Sequence, residues 1–520
     1  MKHDENQERR DEKMKKTALG AMLALILASA LTAAFNFSPV KAIGTGFTIQ
    51  SDGSVSPPTA PVVNVGNVFY TLTDDIQGSI GIVRGNIVVD GAGYTISGDG
   101  EGIGISVSAS NVTLRNANVR YFEHGIVVSG SYNTILNNTA SYCIYEGIWV
   151  DYWASWNILI GNNASNNGPT QGDGILIQGS YNMLAYNIAS NNRDGIALAN
   201  PIGGVHDNIA CYNTVSNNYE YGFWLFDARS NRLFGNVILN NADHGVYIEG
   251  SAIYGASDNM LYHNSFINNV VQARDEWINN WNDNYPSGGN YWSDYTGIDE
   301  KSGPNQDLPG SDGIGDTPYY PPGALFIDMY PLMQPYTPST HDIGITSIEP
   351  SQTVEGSGGS VQIGVRVENH GDLLESFNVT TYAGGTIVGT KTVANLFPTA
   401  NSLLTFTWNT TGWVKGNYTI SAYAWPVLNE TDTLDNSRID GTVLITIPGD
   451  VNGDKRVDGR DIAVIAKYFG STSGYPPNAD ISDDGKIDGK DIAVAAKNFG
   501  QIWSLETMKQ SEVKKGETEK

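Results

Sequence analysis

A glycine followed by an apolar residue returns through the first half of this chain, at Gly104-Ile105, Gly125-Ile126, Gly147-Ile148, Gly174-Ile175, Gly195-Ile196, Gly222-Phe223 and Gly245-Val246. The intervals run from 21 to 27 residues. Two other markers keep step. One is the column Asn111, Asn133, Asn157, Asn182, Asn208, Asn231 and Asn259; the other is the Asn pair at 166–167, 191–192, 217–218, 240–241 and 268–269. A period near ~24, made of short β-like segments between Gly/Asn corners, excludes a helical solenoid, and the leucine-rich frame Leu-x-x-Leu-x-Leu is absent. Asn tolerates left-handed corners, and its amide can bond from coil to coil. The pattern predicts coils of two or three strands stacked at the ~4.8 Å inter-strand spacing. That is a parallel β-helix of roughly nine coils over residues 60–280.

The segment after each glycine orients the coil. Ile126, Ile148, Ile175, Ile196, Phe223 and Val246, with Val128, Val150, Ile177, Leu198, Leu225 and Ile248 two residues on, are uniformly apolar and must point inward. Their alternates face out and include Trp149, Trp224, Phe226 and Tyr247, with Asp151 and Glu249 close by. Flat aromatic faces stack on sugar rings and carboxylates accept sugar hydroxyls, so these six are the candidate carbohydrate-binding residues. A row of acids precedes the glycines: Glu123, Glu146, Asp173, Asp194, Glu220 and Asp243. Stacking would align them down one edge, either as a solvated face or as the paired carboxylates of glycosidic cleavage. The two cysteines, Cys143 and Cys211, fall about three coils apart, ~14 Å at the strand spacing, and are expected to be free core thiols.

These coils resemble the right-handed parallel β-helix repeats of the NosD-like, carbohydrate-binding and sugar-hydrolase group. The segments Trp281-Asn-Asp-Asn-Tyr-Pro-Ser-Gly-Gly-Asn-Tyr-Trp-Ser-Asp-Tyr295, Asp312-Gly-Ile-Gly-Asp-Thr-Pro-Tyr319 and Tyr330-Pro-Leu332 are similar to the end of the β-helix in NosD-like surface proteins. The resemblance implies a fold and not an activity. The Asn-Thr-Asp, Gly-His-Gly and Arg-Ile-Lys motifs of polygalacturonases are missing, as is the Asp-Pro-His motif of alginate epimerases. Some NosD proteins are linked to copper, but no His or Met cluster with soft-metal spacing occurs here.

Thirty basic against 55 acidic residues give a formal net charge of −25, which argues against binding nucleic acid. Residues 1–42 carry Lys13, Lys15 and Lys16, the apolar run Thr17 to Phe35, and the small-residue exit Val40-Lys41-Ala42. This reads as a secretory signal peptide or, if uncleaved, as the chain's membrane contact, so the protein is expected outside the cell or on its surface.

After the β-helix region (43–338) the pattern changes. Over 339–447, runs such as Val361-Gln-Ile-Gly-Val-Arg-Val-Glu-Asn369 and Leu403-Leu-Thr-Phe-Thr-Trp408 alternate apolar and polar. This fits an Ig-like β-sandwich of about seven strands. Val-x-Val-x-Asn-x-Gly, then Trp, then Gly-Asn-Tyr-Thr-Ile-Ser-Ala resembles a CARDB domain, which implies a spacer or binding module.

Residues 448–503 carry the strongest motif. Asp450, Asn452, Asp454, Asp458 and Asp461 stand at positions 1, 3, 5, 9 and 12 of a loop, with Arg456 at position 7 offering its carbonyl. Asp480, Ser482, Asp484, Lys486, Asp488 and Asp491 repeat the frame 30 residues later. Alternate oxygens turned inward around a hard cation are the calcium-loop frame of EF-hands, so two Ca2+ sites are expected. Nearly identical helical segments follow, Ile462–Phe469 and Ile492–Phe499, with Ile462, Ile465, Ala466 and Phe469 spaced to form one apolar face. Asp at position 12, and the absence of a helix before the first loop, make the segment resemble a type I dockerin. That resemblance implies a cohesin-type partner, chosen by Gly459, Arg460, Gly489 and Lys490. Lys455 replaces the usual position-6 glycine of the first loop. The tail 504–520 is charged and expected to be disordered.

Three readings follow: a secreted or cell-surface modular protein with a carbohydrate-binding β-helix, a polysaccharide lyase or glycoside hydrolase delivered by the same dockerin, or a purely structural envelope protein. A module with so small a core is expected to need its metal to fold. Chelating calcium should therefore remove the helical circular dichroism of 448–503, and an unchanged spectrum would contradict this.

Overall fold

A computed structural model describes residues 44–503, apart from 169, 201, 323, 326, 339 and 399. The N-terminal apolar run and the C-terminal tail lie outside the described residues. Among the described residues no helix is long and apolar enough to cross a membrane. The chain divides into two compact units, Met1–Tyr336 and Thr337–Lys520.

The first unit is a β-solenoid of about nine turns. One coil shows the rule for all. Strands Ile158–Ile160, Asn163–Ser165 and Asp173–Ile177 pair in parallel with their equivalents in the coils before and after. Each corner between them has the same construction: a residue in left-handed backbone, then a buried asparagine. Trp156, Gly161 and Asn166 have φ of 61°, 63° and 63°, and Asn157, Asn162 and Asn167 are wholly buried. The left-handed residue turns the chain and points the next side chain inward. There the amide meets the cost of burying polar backbone at the bend. Asn162 Nδ2 donates to Ile135 O of the coil before (2.8 Å) and to Asn187 Oδ1 of the coil after (3.0 Å). The corners therefore stack into asparagine ladders.

The Asn column read in the sequence is one ladder, running from Asn133 to Asn279. Asn111 is not part of it. It is the left-handed residue, φ 58°, one place earlier, and Val112 N–H donates to Asn133 Oδ1. The Asn pairs are the third corner, with the first Asn left-handed and the second in the ladder. A second ladder, Asn138 through Asn290, completes each coil.

The recurring glycine follows from the third ladder. A Cβ on Gly222 would run into Gly245 O and lie 2.7 Å from Asn241 Nδ2, so only glycine passes that close. Between the ladders the apolar alternates fill the bore, as expected: Ile126, Ile148, Ile175, Ile196, Phe223 and Val246 are all fully buried. Both thiols are buried and free. They belong to different sides of the coil, Cys143 heading the third ladder and Cys211 ending strand Ile209–Cys211. At the last coils Trp292 stacks on Phe266 and Tyr319 (centroids 4.2 and 4.1 Å), and its indole donates to the buried Asp328.

In the second unit a three-stranded sheet (Ile343–Pro350, Ser360–Asn369, Asn401–Asn409) faces a five-stranded one (Val354–Gly356, Glu375–Ala383, Thr386–Leu396, Gly416–Ala424, Ser437–Thr446). Val361, Ile363, Val365 and Val367 alternate into the core. The sandwich has eight strands rather than seven. The extra strand is Val354–Gly356, which pairs in parallel with Ser437–Thr446 and is too short to show a sequence period. Two helices follow, α1 (Gly459–Lys467) and α2 (Gly489–Lys497).

The ladders can be tested at Asn187. Its oxygen accepts from Asn162 N and Nδ2, and its amide donates to Leu159 O and Asn213 Oδ1. Each buried group stranded by N187A costs ~1–3 kcal/mol, so a loss of about 3 kcal/mol or more is expected in chemical denaturation. Replacing the exposed left-handed residue of the next corner, N191G, should change stability by less than about 1 kcal/mol.

Candidate functional site

The two terminal loops are built alike. In the first, Asp461 Oδ1 accepts from Val451 N (2.9 Å) and Asn452 N (3.2 Å), and its Oδ2 accepts from Asp458 N (2.9 Å). In the second, Asp491 does the same for Ser482 N (2.9 Å) and Asp488 N (2.8 Å). Position 12 is thus a buried carboxylate that ties the loop's start to its end, a distance that Asp spans here. Position 1 works the other way: Asp450 accepts from Asp454 N and Lys455 N, and Asp480 from Asp484 N and Gly485 N. Asp450 also accepts from Thr446 Oγ1 at 2.6 Å, which ties the first loop to the last sandwich strand. Burial, with the nearby charges of Asp461 and Asp454 adding to it, pushes its carboxyl above the usual range. A divalent cation relieves that crowding of like charge.

The donor set fits calcium: Asp450, Asn452, Asp454, Asp461 and their repeats Asp480, Ser482, Asp484, Asp491 are hard oxygen donors. Ser482 Oγ is buried with no hydrogen-bond partner among the described residues, as a ligand held for an ion would be. Asp458 and Asp488, at position 9, are the N-caps of α1 and α2, accepting from Arg460 N and Lys490 N in capping boxes with Asp461 and Asp491. Arg456 and Lys486, at position 7, are exposed, and Lys486 Nζ lies 2.9 Å from Asp488 Oδ2.

The candidate partner residues Gly459, Arg460, Gly489 and Lys490 form the exposed first turns of the helices. They are not independent of the ion sites. Lys490 Nζ sits 2.6 Å from Asp484 Oδ2, and Arg460 lies 3.7 Å from Asp454 in the equivalent place. The expected continuous apolar face is corrected at its end. The helices stop at Lys467 and Lys497, so Phe469 and Phe499 lie past the C-caps and are 57% and 58% exposed. That symmetric aromatic pair is part of the surface, and helical spacing extended two residues too far concealed it.

Lys455 has φ +68° where the second loop has Gly485 at +79°. At position 4 the roles exchange, with Gly453 at +72° and Asp483 at +53°. Each loop therefore holds one non-glycine residue in left-handed backbone. At Lys455 the ammonium lies over the Trp503 ring at 5.0 Å, a contact that offsets part of the strain.

On the β-helix, strand register separates the acids. Two residues before the apolar positions run His124, Glu146, Asp173, Asp194, Tyr221 and His244. Glu123, Glu220 and Asp243 fall one residue earlier, on the adjacent row with Arg193. The single acidic edge expected from the sequence is therefore two rows, because a one-residue offset moves a side chain to another line of the coil. Asp173 and Asp194 are buried (side chains 4% and 1% exposed), each 2.8 Å from Arg193 Nη2. Burial lifts both carboxyls against the pull of that guanidinium. His124 Nδ1 is 2.6 Å from Glu146 Oε2.

The candidate carbohydrate residues do face outward, half-buried. Trp149 donates to Gln178 and Trp224 to Glu249, both at 3.1 Å, which pins each indole between coils. Arg193 lies over the Trp224 ring at 5.8 Å, and Phe226 packs beside it at 5.6 Å. Tyr247 stacks on His244 at 5.2 Å. Asp151 accepts from Tyr152 N in its own turn. Register places Trp149 and Trp224 three coils apart, ~14 Å, with Leu176 and Ala197 between them. The sequence reading passed over a second aromatic line at the first corner, where Tyr132, Trp156 and Tyr181 stack at 6.4 and 4.6 Å. Their signal was position, since each directly precedes a ladder asparagine.

Residues 81–297 match the family model for periplasmic copper-binding protein (NosD), 340–436 that for CARDB, and 448–499 that for the type I dockerin domain. Among solved structures the chain is similar to a CARDB domain from Pyrococcus furiosus in complex with di-metal ions (27% identity, covering 21% of this chain and 98% of that one, TM-score 0.19). It is similar to an alginate lyase from Paenibacillus (12%, 42% and 91%, 0.28). It is also similar to the A-module of a mannuronan C-5 epimerase from Azotobacter vinelandii (13%, 40% and 61%, 0.28). None of the curated proteins matches. The β-helix donors do not fit copper. His124 pairs with Glu146 and His206 with Asp207, while His263 bonds Ser287 O, so the imidazoles sit on separate partners in separate coils.

A Cβ added to Gly485 meets nothing within 4 Å, so G485A isolates the backbone cost of left-handed geometry. That cost is ~1–2 kcal/mol. Calorimetric titration of the full chain should show calcium binding weakened about 5- to 30-fold in one class of site.

Proposed function

We propose that this chain, with its NosD domain, CARDB domain and type I dockerin, is a secreted or cell-surface modular protein. Its β-helix binds carbohydrate, and its calcium-loaded dockerin docks to a cohesin. Type I dockerins are calcium-binding, and the duplicated loops with matching position-1 and position-12 carboxylate bonding are the observation that carries the reading. We assign one Ca2+ to each loop. With the ions in place the loops hold α1 and α2 side by side, presenting Gly459, Arg460, Phe469 and their repeats Gly489, Lys490, Phe499 to the partner. The carbohydrate half of the reading is supported by outward Trp149 and Trp224, each held by an indole hydrogen bond and so able to stack on a sugar ring with little further loss of freedom.

A second reading, a polysaccharide-degrading enzyme delivered by the dockerin, is favoured by one observation. Asp173 and Asp194 share Arg193 next to the Trp224 ring, and glycosidic cleavage uses a pair of carboxyl groups, one protonated as the acid and one ionised. A purely structural envelope role is the outcome if neither sugar nor product is found.

Binding of the full chain to a panel of type I cohesins should be lost on chelation and in the D461A/D491A double variant, and retained in W149A/W224A. Calcium-independent binding, or none to any cohesin, would overturn the docking reading. On a glycan array W149A and W224A should each weaken binding about 2- to 10-fold, the value of an aromatic stack. Release of reducing ends or unsaturated uronides by the wild type, abolished in D173N, would select the enzyme instead.

A further inference from the structure

We propose that the sandwich holds a divalent transition-metal ion, of the zinc class, between Asp342, His370 and Asp435. These residues come from three separate segments: the approach to the first strand, the turn after Ser360–Asn369, and the loop before Ser437–Thr446. One ligand atom from each lies within 4.8 Å of the others. That is about the width across an ion whose donors stand at ~2.0–2.4 Å.

The backbone fixes the three segments independently of any ion. Asp342 O accepts from His370 N (2.9 Å) and Gly371 N (3.0 Å), and Asp435 O accepts from Ile345 N (2.9 Å). The ligands are therefore positioned by main-chain bonds, as a prepared site requires.

Two observations point to an ion rather than to a set of surface charges. First, Asp342 Oδ1 and Asp435 Oδ1 are shut off from solvent and have no hydrogen-bond partner among the described residues. Buried carboxylate oxygens without donors are costly, and a cation is the partner they lack. Among the described residues His370 Nδ1, 3.0 Å from Asp435 Oδ2, is the one side chain bonded to the pair. Glu430 is already bound to Ile343 N and Val427 N.

Second, the site is kept open by Gly344. This glycine lies in a strand without positive φ, so its backbone does not require it. A Cβ there would run into Asp435 Oδ2 and lie 3.0 Å from His370 Cε1. The missing side chain leaves room where the two ligands meet. One imidazole and two carboxylates are a nitrogen–oxygen set suited to zinc, whereas calcium takes oxygen alone.

The test uses the full chain saturated with Ca2+, so that the dockerin loops are occupied, and zinc as the probe. Calorimetry and metal analysis should show one equivalent of Zn2+ in the wild type that is missing in H370Q and in D342N. G344A keeps every ligand and fills the gap, so it should weaken zinc about 10-fold or more. Calcium uptake and circular dichroism must stay unchanged in each variant, which separates loss of the site from loss of fold. Co2+ in place of zinc should give visible absorption bands that H370Q alters. Equal zinc stoichiometry and affinity in the wild type, H370Q and D342N would overturn the proposal, as would absence of zinc binding to the wild type.

Discussion

Buried asparagine amides at the corners of the coil are the constraint on which the solenoid depends. A chain that bends every few residues around an apolar bore carries backbone N–H and C=O groups into each bend, where strand pairing cannot reach them. Here the inward Asn accepts from the coil before and donates to both sides: Asn162 Oδ1 accepts from Asn138, and its Nδ2 donates to Ile135 O and to Asn187 Oδ1. Once the corners are set, register follows, and with it the rows of outward side chains. The line containing Trp149, Leu176, Ala197, Trp224 and Tyr247 is a consequence of the ladders beneath it.

The terminal loops apply the same economy in another way. A single carboxylate at position 12 closes the loop and completes the capping box, while position 9 is the N-cap of the helix. Loop closure and helix initiation thus fall on four consecutive residues, Asp458 to Asp461, and again on Asp488 to Asp491. Arg460 and Lys490 pair with the position-5 carboxylates, so the first turns of the helices and the loops share charge.

Much of this was legible beforehand, with physical reasons for what was not. The Asn pairs were visible because both members are Asn. The ladder from Asn138 to Asn290 was hidden because its preceding left-handed residue varies among Asn137, Gly161, Tyr186, Tyr212, Gly235 and His263. Left-handed geometry, not residue type, is what recurs there. Asn111 entered the wrong column by one residue for the same reason. The acids merged into one row because intervals of 21 to 27 residues conceal a one-residue offset that register resolves. Phe469 and Phe499 joined an apolar face only while the helices were taken to reach them.

The chain's own order of residues determined the β-helix, the alternation of inward and outward positions, the sandwich and the duplicated acidic loops. Each is a periodic or fixed-spacing pattern, and periodicity is local information. Tertiary structure alone decided which side chains meet across coils and segments. It set Arg193 between Asp173 and Asp194, fixed the indoles of Trp149 and Trp224, and brought Asp342, His370 and Asp435 together from segments up to 93 residues apart in sequence. Such encounters depend on register and on backbone pairing between distant segments, which no spacing within a single segment records.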